Sequence, residues 1–173
     1  MKGIAVIAAL IGALLLQTTL AGMSIEGATR VNFVLIAVIY VALSLGAVSG
    51  LLTGAVGGLI QDAIAGGIVG IGGISKTLVG FLVGVLGAQF IVSQPLPRFV
   101  MFVAATVVHE LCFQSLYALV EAHGLRIVWP TLLVQASVNA LIGVVAFSIV
   151  EQMPGVVARR NARRGASLSR RRF

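Results

Sequence analysis

The chain has 173 residues, of which 59% are hydrophobic and only 10% charged. Soluble domains carry about 25% charged residues, so the composition excludes an ordinary water-soluble globule and points to a single, mostly membrane-embedded helical domain. The net charge of +7 belongs mainly to one end, since seven of the twelve Lys and Arg residues lie between Arg159 and Arg172.

A membrane-crossing helix needs about 20 apolar residues at about 1.5 Å each. Residues 4–22 form the first such run, with Gln17 late in it. Lys2, an apolar core, and Thr19 and Ala21 before Gly22 also fit a secretory signal. The length of the run and the spans that follow favour a retained helix. Residues 31–61 are uncharged and too long for one helix; Ser44, Gly46 and Ser49 weaken the middle, so two short spans should meet there at a tight turn. Residues 77–92 and 99–120 give two more spans, the second containing His109 and Glu110. Residues 131–150 give the last, ending near Glu151 and Met153-Pro154. The expectation is an all-α polytopic membrane protein of about six helices. Residues 1–155 would form one transmembrane domain and residues 156–173 a basic tail.

Lys and Arg accumulate on the cytoplasmic side of membrane proteins. The tail should therefore be cytoplasmic, and Lys2 argues that the N-terminus is too. Six spans then place nine basic residues inside, Arg98 among them, and leave Arg30, Lys76 and Arg126 on outer connections.

Gly46, Gly50, Gly54 and Gly58 recur every fourth residue, and Gly80, Gly84 and Ala88 repeat the device on the next span. On a helix such positions share one face, and without side chains a neighbouring helix can approach closely. The ridge serves either packing within the bundle or docking of another protein's membrane helix. Asp62 opens the glycine-rich connection that follows, and Lys76 closes it. The spacing fits neither a phosphate-binding loop nor a dinucleotide fingerprint; Asp62 is placed to cap amide groups at a helix start.

The pattern G-x3-G-x3-G-x3-G-x3-D-x3-G-G-x2-G runs from Gly46 through Asp62, Gly66 and Gly67 to Gly70, and Lys76-Thr77-Leu78-Val79-Gly80-Phe81 follows. It resembles the central signature of the bacterial rod shape-determining MreD family. The likeness covers residues 32–84; the family's proline near the start of the second helix is missing, and Asn32 keeps the polar cap. The resemblance implies a non-enzymatic subunit of the cell-elongation machinery without a cofactor, and a fold similar to the substrate-binding subunits of energy-coupling-factor transporters. It also implies association with MreC, a bitopic membrane protein. Through MreC and the cytoskeletal MreB, the subunit would help organise the cell-wall transglycosylase and transpeptidase.

The remaining candidates are intramembrane polar residues. His109-Glu110 begins like a zinc-protease motif, but Phe113 stands where the second histidine belongs, and His123 lies about four turns away, so a metal site is excluded. A charge at mid-helix is costly, so Glu110 must face protein or water. Gln114 follows it by one turn, and Gln135 and Asn139 are one turn apart on the last span. These two pairs are expected to meet across the bundle.

Arg159, Arg160, Arg163 and Arg164 directly follow a membrane helix, which favours anionic lipid over a cytoplasmic partner. The tail lacks the interleaved aromatics of nucleic-acid binders. A solute-binding transport subunit is the rival reading, with Trp129, Tyr40, Tyr117 and His123 as its few candidate groups.

Overall fold

A computed structural model describes residues 2–21, 31–90, 94–122, 124 and 127–169. Those residues form six α-helices: α1 (Lys2–Ala21), α2 (Phe33–Leu45), α3 (Ala47–Ala65), α4 (Ile71–Gln89), α5 (Pro95–Glu121) and α6 (Trp129–Ser169). Four are long and apolar enough to cross a membrane, counting α6 from Trp129 to Glu151. The apolar parts of α1 and α2 are shorter, Val6–Thr19 and Phe33–Leu45. Arg30, His123 and Arg126 lie outside the described residues.

The centre of the bundle is its shortest helix. α2 has 13 residues, seven of them buried, and it touches all five other helices. A helix apolar on every side is stable only when surrounded. Leu35, Ile36, Ile39 and Ala42 of α2 pack with Val79 and Val83 of α4, Phe102 and Ala105 of α5, and Ala140 of α6. Phe102, fully buried, occupies the space left by Gly143, where a Cβ would strike its ring. α1 lies at the edge, joining through Leu10, Ala13 and Val34; Gly57 of α3 makes room for the Leu10 side chain.

The turn expected near residue 46 is a single residue. Gly46 ends α2 and begins α3 at φ 90°, ψ −179°, a region that essentially only glycine occupies. The reversal is complete, because the faces of Gly50 and Ala42 meet behind it. α2 and α3 are therefore an antiparallel hairpin.

Four boundaries differ from the sequence reading in ways that move a charge or a proline. α3 runs to Ala65 and not to residue 61, so Asp62 lies inside the helix instead of opening the connection. α4 begins at Ile71 and not at residue 77, so Lys76 belongs to the helix and is buried, 2% exposed, instead of standing on an outer connection. Glycines at the start of a helix read as loop, but here Asp62 supplies the missing cap. α5 begins at Pro95, a residue suited to the first helical turn, and this brings Arg98 into the helix, buried. α6 passes through Pro154 and continues to Ser169. Proline removes one helical hydrogen bond, while the Ala- and Arg-containing segment after it consists largely of good helix formers.

Gly46→Ala should lower stability by about 1–3 kcal/mol, although a Cβ there meets no atom within 4 Å. Thermal unfolding in mild detergent would show it. Gly12→Ala, equally open and in a helical conformation, is the control and should not destabilise, with a gain of up to about 1 kcal/mol.

Candidate functional site

The glycine ridge of α3 faces α4, and the two helices meet backbone to backbone. A Cβ on Gly50 would strike the Gly80 carbonyl, one on Gly54 the backbone of Lys76 and Thr77, and one on Gly58 the backbone of Gly72 and Gly73. A Cβ on Gly84 would strike Gly46 and Ala47. The pairs run in opposite directions along the two helices, so α3 and α4 form one antiparallel seam. Lipid gives helices no hydrophobic reason to associate, and close packing of small residues supplies it. With α4 in place, and Ala42 of α2 also against Gly50, no helix of another protein can lie against Gly50, Gly54 or Gly58.

Asp62 is the next member of that four-residue series and meets the start of α4. Its Oδ2 accepts from the backbone N–H of Gly70 (2.9 Å) and of Gly73 (3.1 Å). Gly70, the residue before α4, has no side chain to cap with. A Cβ on Gly72 would collide with the carboxylate, so glycine there is what lets Asp62 approach. Gly66 ends α3 in the left-handed region at φ 69°, and the connection turns back from there.

A second polar constellation surrounds the start of α2. At about 20 Å long by its residue count, α2 is shorter than the roughly 30 Å hydrocarbon core. Its first amides therefore need partners within the protein. The Asn32 Oδ1 accepts from Leu35 N at 3.0 Å. Gln17 of α1 accepts from Phe33 N through Oε1 (2.9 Å) and donates through Nε2 to the Val31 carbonyl (3.2 Å). Asn139 of α6 accepts from Asn32 N at 3.1 Å, and the Asn32 Nδ2 lies 3.3 Å from His109 Nε2 of α5. Four helices thus converge on residues 31–33. Asn32 stood out in the sequence only as a cap; nothing local announced a hub.

The expected meeting of the two polar pairs does not occur among the described residues. Gln114 instead donates to Glu110 along α5 at 2.8 Å. Asn139 turns to Asn32, and Gln135 stays half-buried. Helical register places Gln135 and Asn139 one turn apart, but the start of α2 lies between the two helices and takes Asn139. Lys76, buried beside this layer, lies within electrostatic reach of Asp62 and Glu110. His109, Phe113 and Tyr117 stack successively along α5, each ring 5.9 Å from the next.

The other end of the bundle carries a different device. Arg98 donates two hydrogen bonds of 2.8 Å to Glu151, a bidentate pair. Its guanidinium lies 4.1 Å from the centre of the Phe147 ring. Tyr40 meets that ring edge-on at 4.9 Å. This clamp ties the first turn of α5 to the end of the apolar part of α6. Tyr40 is thereby far from Tyr117, which stands about 28 Å along α5 from Arg98, and Trp129 is 55% exposed. Of the groups named for a solute site, Tyr40 and Tyr117 do not converge, and His123 lies outside the described residues. The backbone of α6 carries Arg159, Arg160, Arg163 and Arg164 within its helical extension.

Among the described residues, no cluster of three or more His, Cys, Asp or Glu side chains is placed to hold a metal. In comparison with known proteins, a family model described as rod shape-determining protein MreD matches residues 2–153. No curated protein matches, and no solved structure matches.

Three substitutions test the polar and glycine layers. Gly54→Leu should abolish recovery of folded protein, because the Lys76 and Thr77 backbone cannot withdraw without opening the seam. Glu110→Gln should leave stability near that of the unsubstituted protein. Glu110→Leu should cost about 1–3 kcal/mol, since it leaves the Gln114 amide without its acceptor. Yield of folded protein in mild detergent checks the first, and thermal unfolding of the two purified Glu110 variants compares the others.

Proposed function

Because this chain belongs to the MreD family of rod shape-determining membrane proteins, we propose that it is a non-enzymatic scaffold subunit of the bacterial cell-elongation complex. It binds the single membrane helix of an MreC-like bitopic protein and helps organise lateral peptidoglycan synthesis by stoichiometric contact. The cell-wall transglycosylase and transpeptidase and the cytoskeletal MreB are reached directly or through that partner. The protein sits in the cytoplasmic (inner) membrane with both ends in the cytoplasm. Residues 1–155 act as one transmembrane unit, and the basic extension, residues 156–173, contacts anionic lipid and not nucleic acid.

The observation that carries this reading is the shape of the glycine-rich hairpin. Its glycine faces are consumed by α3–α4 packing, and beside the seam, along one flank of the same two helices, runs a concave apolar surface. The groove there has a volume of about 440 Å³ and is lined by Leu51, Ala55, Leu59, Gly70, Gly73, Ile74, Thr77, Leu78 and Phe81. Its lining mixes small residues (Ala55, Gly70, Gly73) with large apolar ones, which suits the insertion of one further helix, since small residues let helices approach closely in lipid. Close α3–α4 packing makes the two helices a single rigid surface, so the seam serves docking without touching the partner.

Depletion of the protein should make a rod-shaped host round up. Cysteines at Leu51, Ala55 or Leu78 should cross-link to the bitopic partner, whereas cysteines at Ile7 or Leu15 on α1 should not. Intact cell shape together with loss of vitamin uptake would sink the scaffold reading. For topology, a reporter fused after Phe173 that works only in the cytoplasm should be active; a periplasmic signal there would reverse the orientation.

A further inference from the structure

Two hydrogen-bond donors are left over at the Asn32 hub, and the bonds around it fix their identity. The Asn32 Oδ1 is committed to Leu35 N, so the atom facing His109 Nε2 is the Nδ2 donor. His109 Nε2 must then accept, which puts the ring proton of the neutral imidazole on Nδ1. Asn139 is oriented by the same logic. Its Oδ1 accepts from Asn32 N, which leaves its Nδ2 as the unused end. Flipping either amide would set donor against donor. His109 is 2% exposed and Asn139 fully buried, and neither His109 Nδ1 nor Asn139 Nδ2 has a partner among the described residues.

We propose that the interior around Asn32 is a water-binding site, in which ordered water accepts from His109 Nδ1–H and from Asn139 Nδ2. Both donors are neutral, and the one buried cation among the described residues at this end of the bundle, Lys76, already lies within reach of the carboxylates of Asp62 and Glu110, which leaves no net positive charge to hold an anion. A cation finds only donors at these two atoms. The ligand must be a neutral oxygen that accepts here and donates elsewhere, and water does both. Thr106, fully buried one turn before His109 on α5, gives its proton to the Phe102 carbonyl at 2.8 Å and keeps its lone pairs for such a donation. Buried water typically makes two to four such bonds to otherwise unpaired groups. α5 and α6 are then joined to the start of α2 through solvent as well as directly.

The test is side-chain nuclear magnetic resonance on ¹⁵N-histidine-labelled protein in nanodiscs, with His123→Gln to leave His109 as the single label. The expected result is an Nδ1–H tautomer whose Hδ1 proton receives magnetisation from water. That transfer should disappear or shift in Asn139→Asp, which keeps the acceptor oxygen and removes the donor. An Nε2–H tautomer, an Hδ1 with no transfer from water, or transfer from a co-purified organic molecule would each overturn the proposal. The first measurement needs no change at Asn139, so it stands even where that variant fails to fold.

Discussion

Within lipid, every backbone N–H and C=O must find a partner in the protein, and in this molecule the starts of two helices decide where the polar residues go. α2 is too short to carry both its ends to water. Its first amides are met by Gln17, Asn32 itself and, one residue earlier, Asn139. α4 starts after a glycine and is capped across the connection by Asp62. The polar side chains of α1, α3, α5 and α6 are thus gathered toward one end of the bundle by the needs of α2 and α4.

The glycine seam and these caps are one arrangement. Gly46, Gly50, Gly54, Gly58 and Asp62 follow a single four-residue spacing, and the helix lays all five along the face turned to α4. Gly46 makes the turn, and the next three lack side chains so that the backbones touch. The fifth supplies a carboxylate where the partner helix begins, and Gly72 admits it. A substitution anywhere in the series therefore acts on both helices at once. The Arg98–Glu151 pair with Phe147 and Tyr40 does comparable work at the opposite end, where α5 and α6 approach the membrane boundary.

Much of this was legible in the residues. Hydropathy located all six helices, Gly46 marked the hairpin, and the period of four put the glycines on one face. Asp62 was recognisable as a cap because carboxylates satisfy amides at helix starts. What stayed hidden depends on distance in space and not in sequence. Lys76 read as a loop charge because the glycines before it looked like an interruption, and only the cap contributed by α3 makes them helical. Asn139 was assigned to Gln114 and Glu110 by helical register. It goes to Asn32, because an unsatisfied amide at the end of a buried helix is a stronger demand than the alignment of two side-chain pairs. Gly57, Gly72 and Gly143 carried no periodic signal; each is required by a single large or charged neighbour. What the ridge faces also escaped the sequence, since a ridge of glycines looks the same whether it meets its own chain or another.

The order in which α2 acquires its partners has a consequence for biogenesis. α2, α3 and α4 are consecutive and touch one another, so they can assemble early, through contacts local in sequence. The hub at Asn32 cannot close then, because His109 and Asn139 lie 77 and 107 residues further along the chain. Until α6 has been inserted, the central helix carries an incompletely bonded start inside the membrane. Arrival of the last helix completes that bonding, so a chain cut short before α6 lacks the acceptor for Asn32 N.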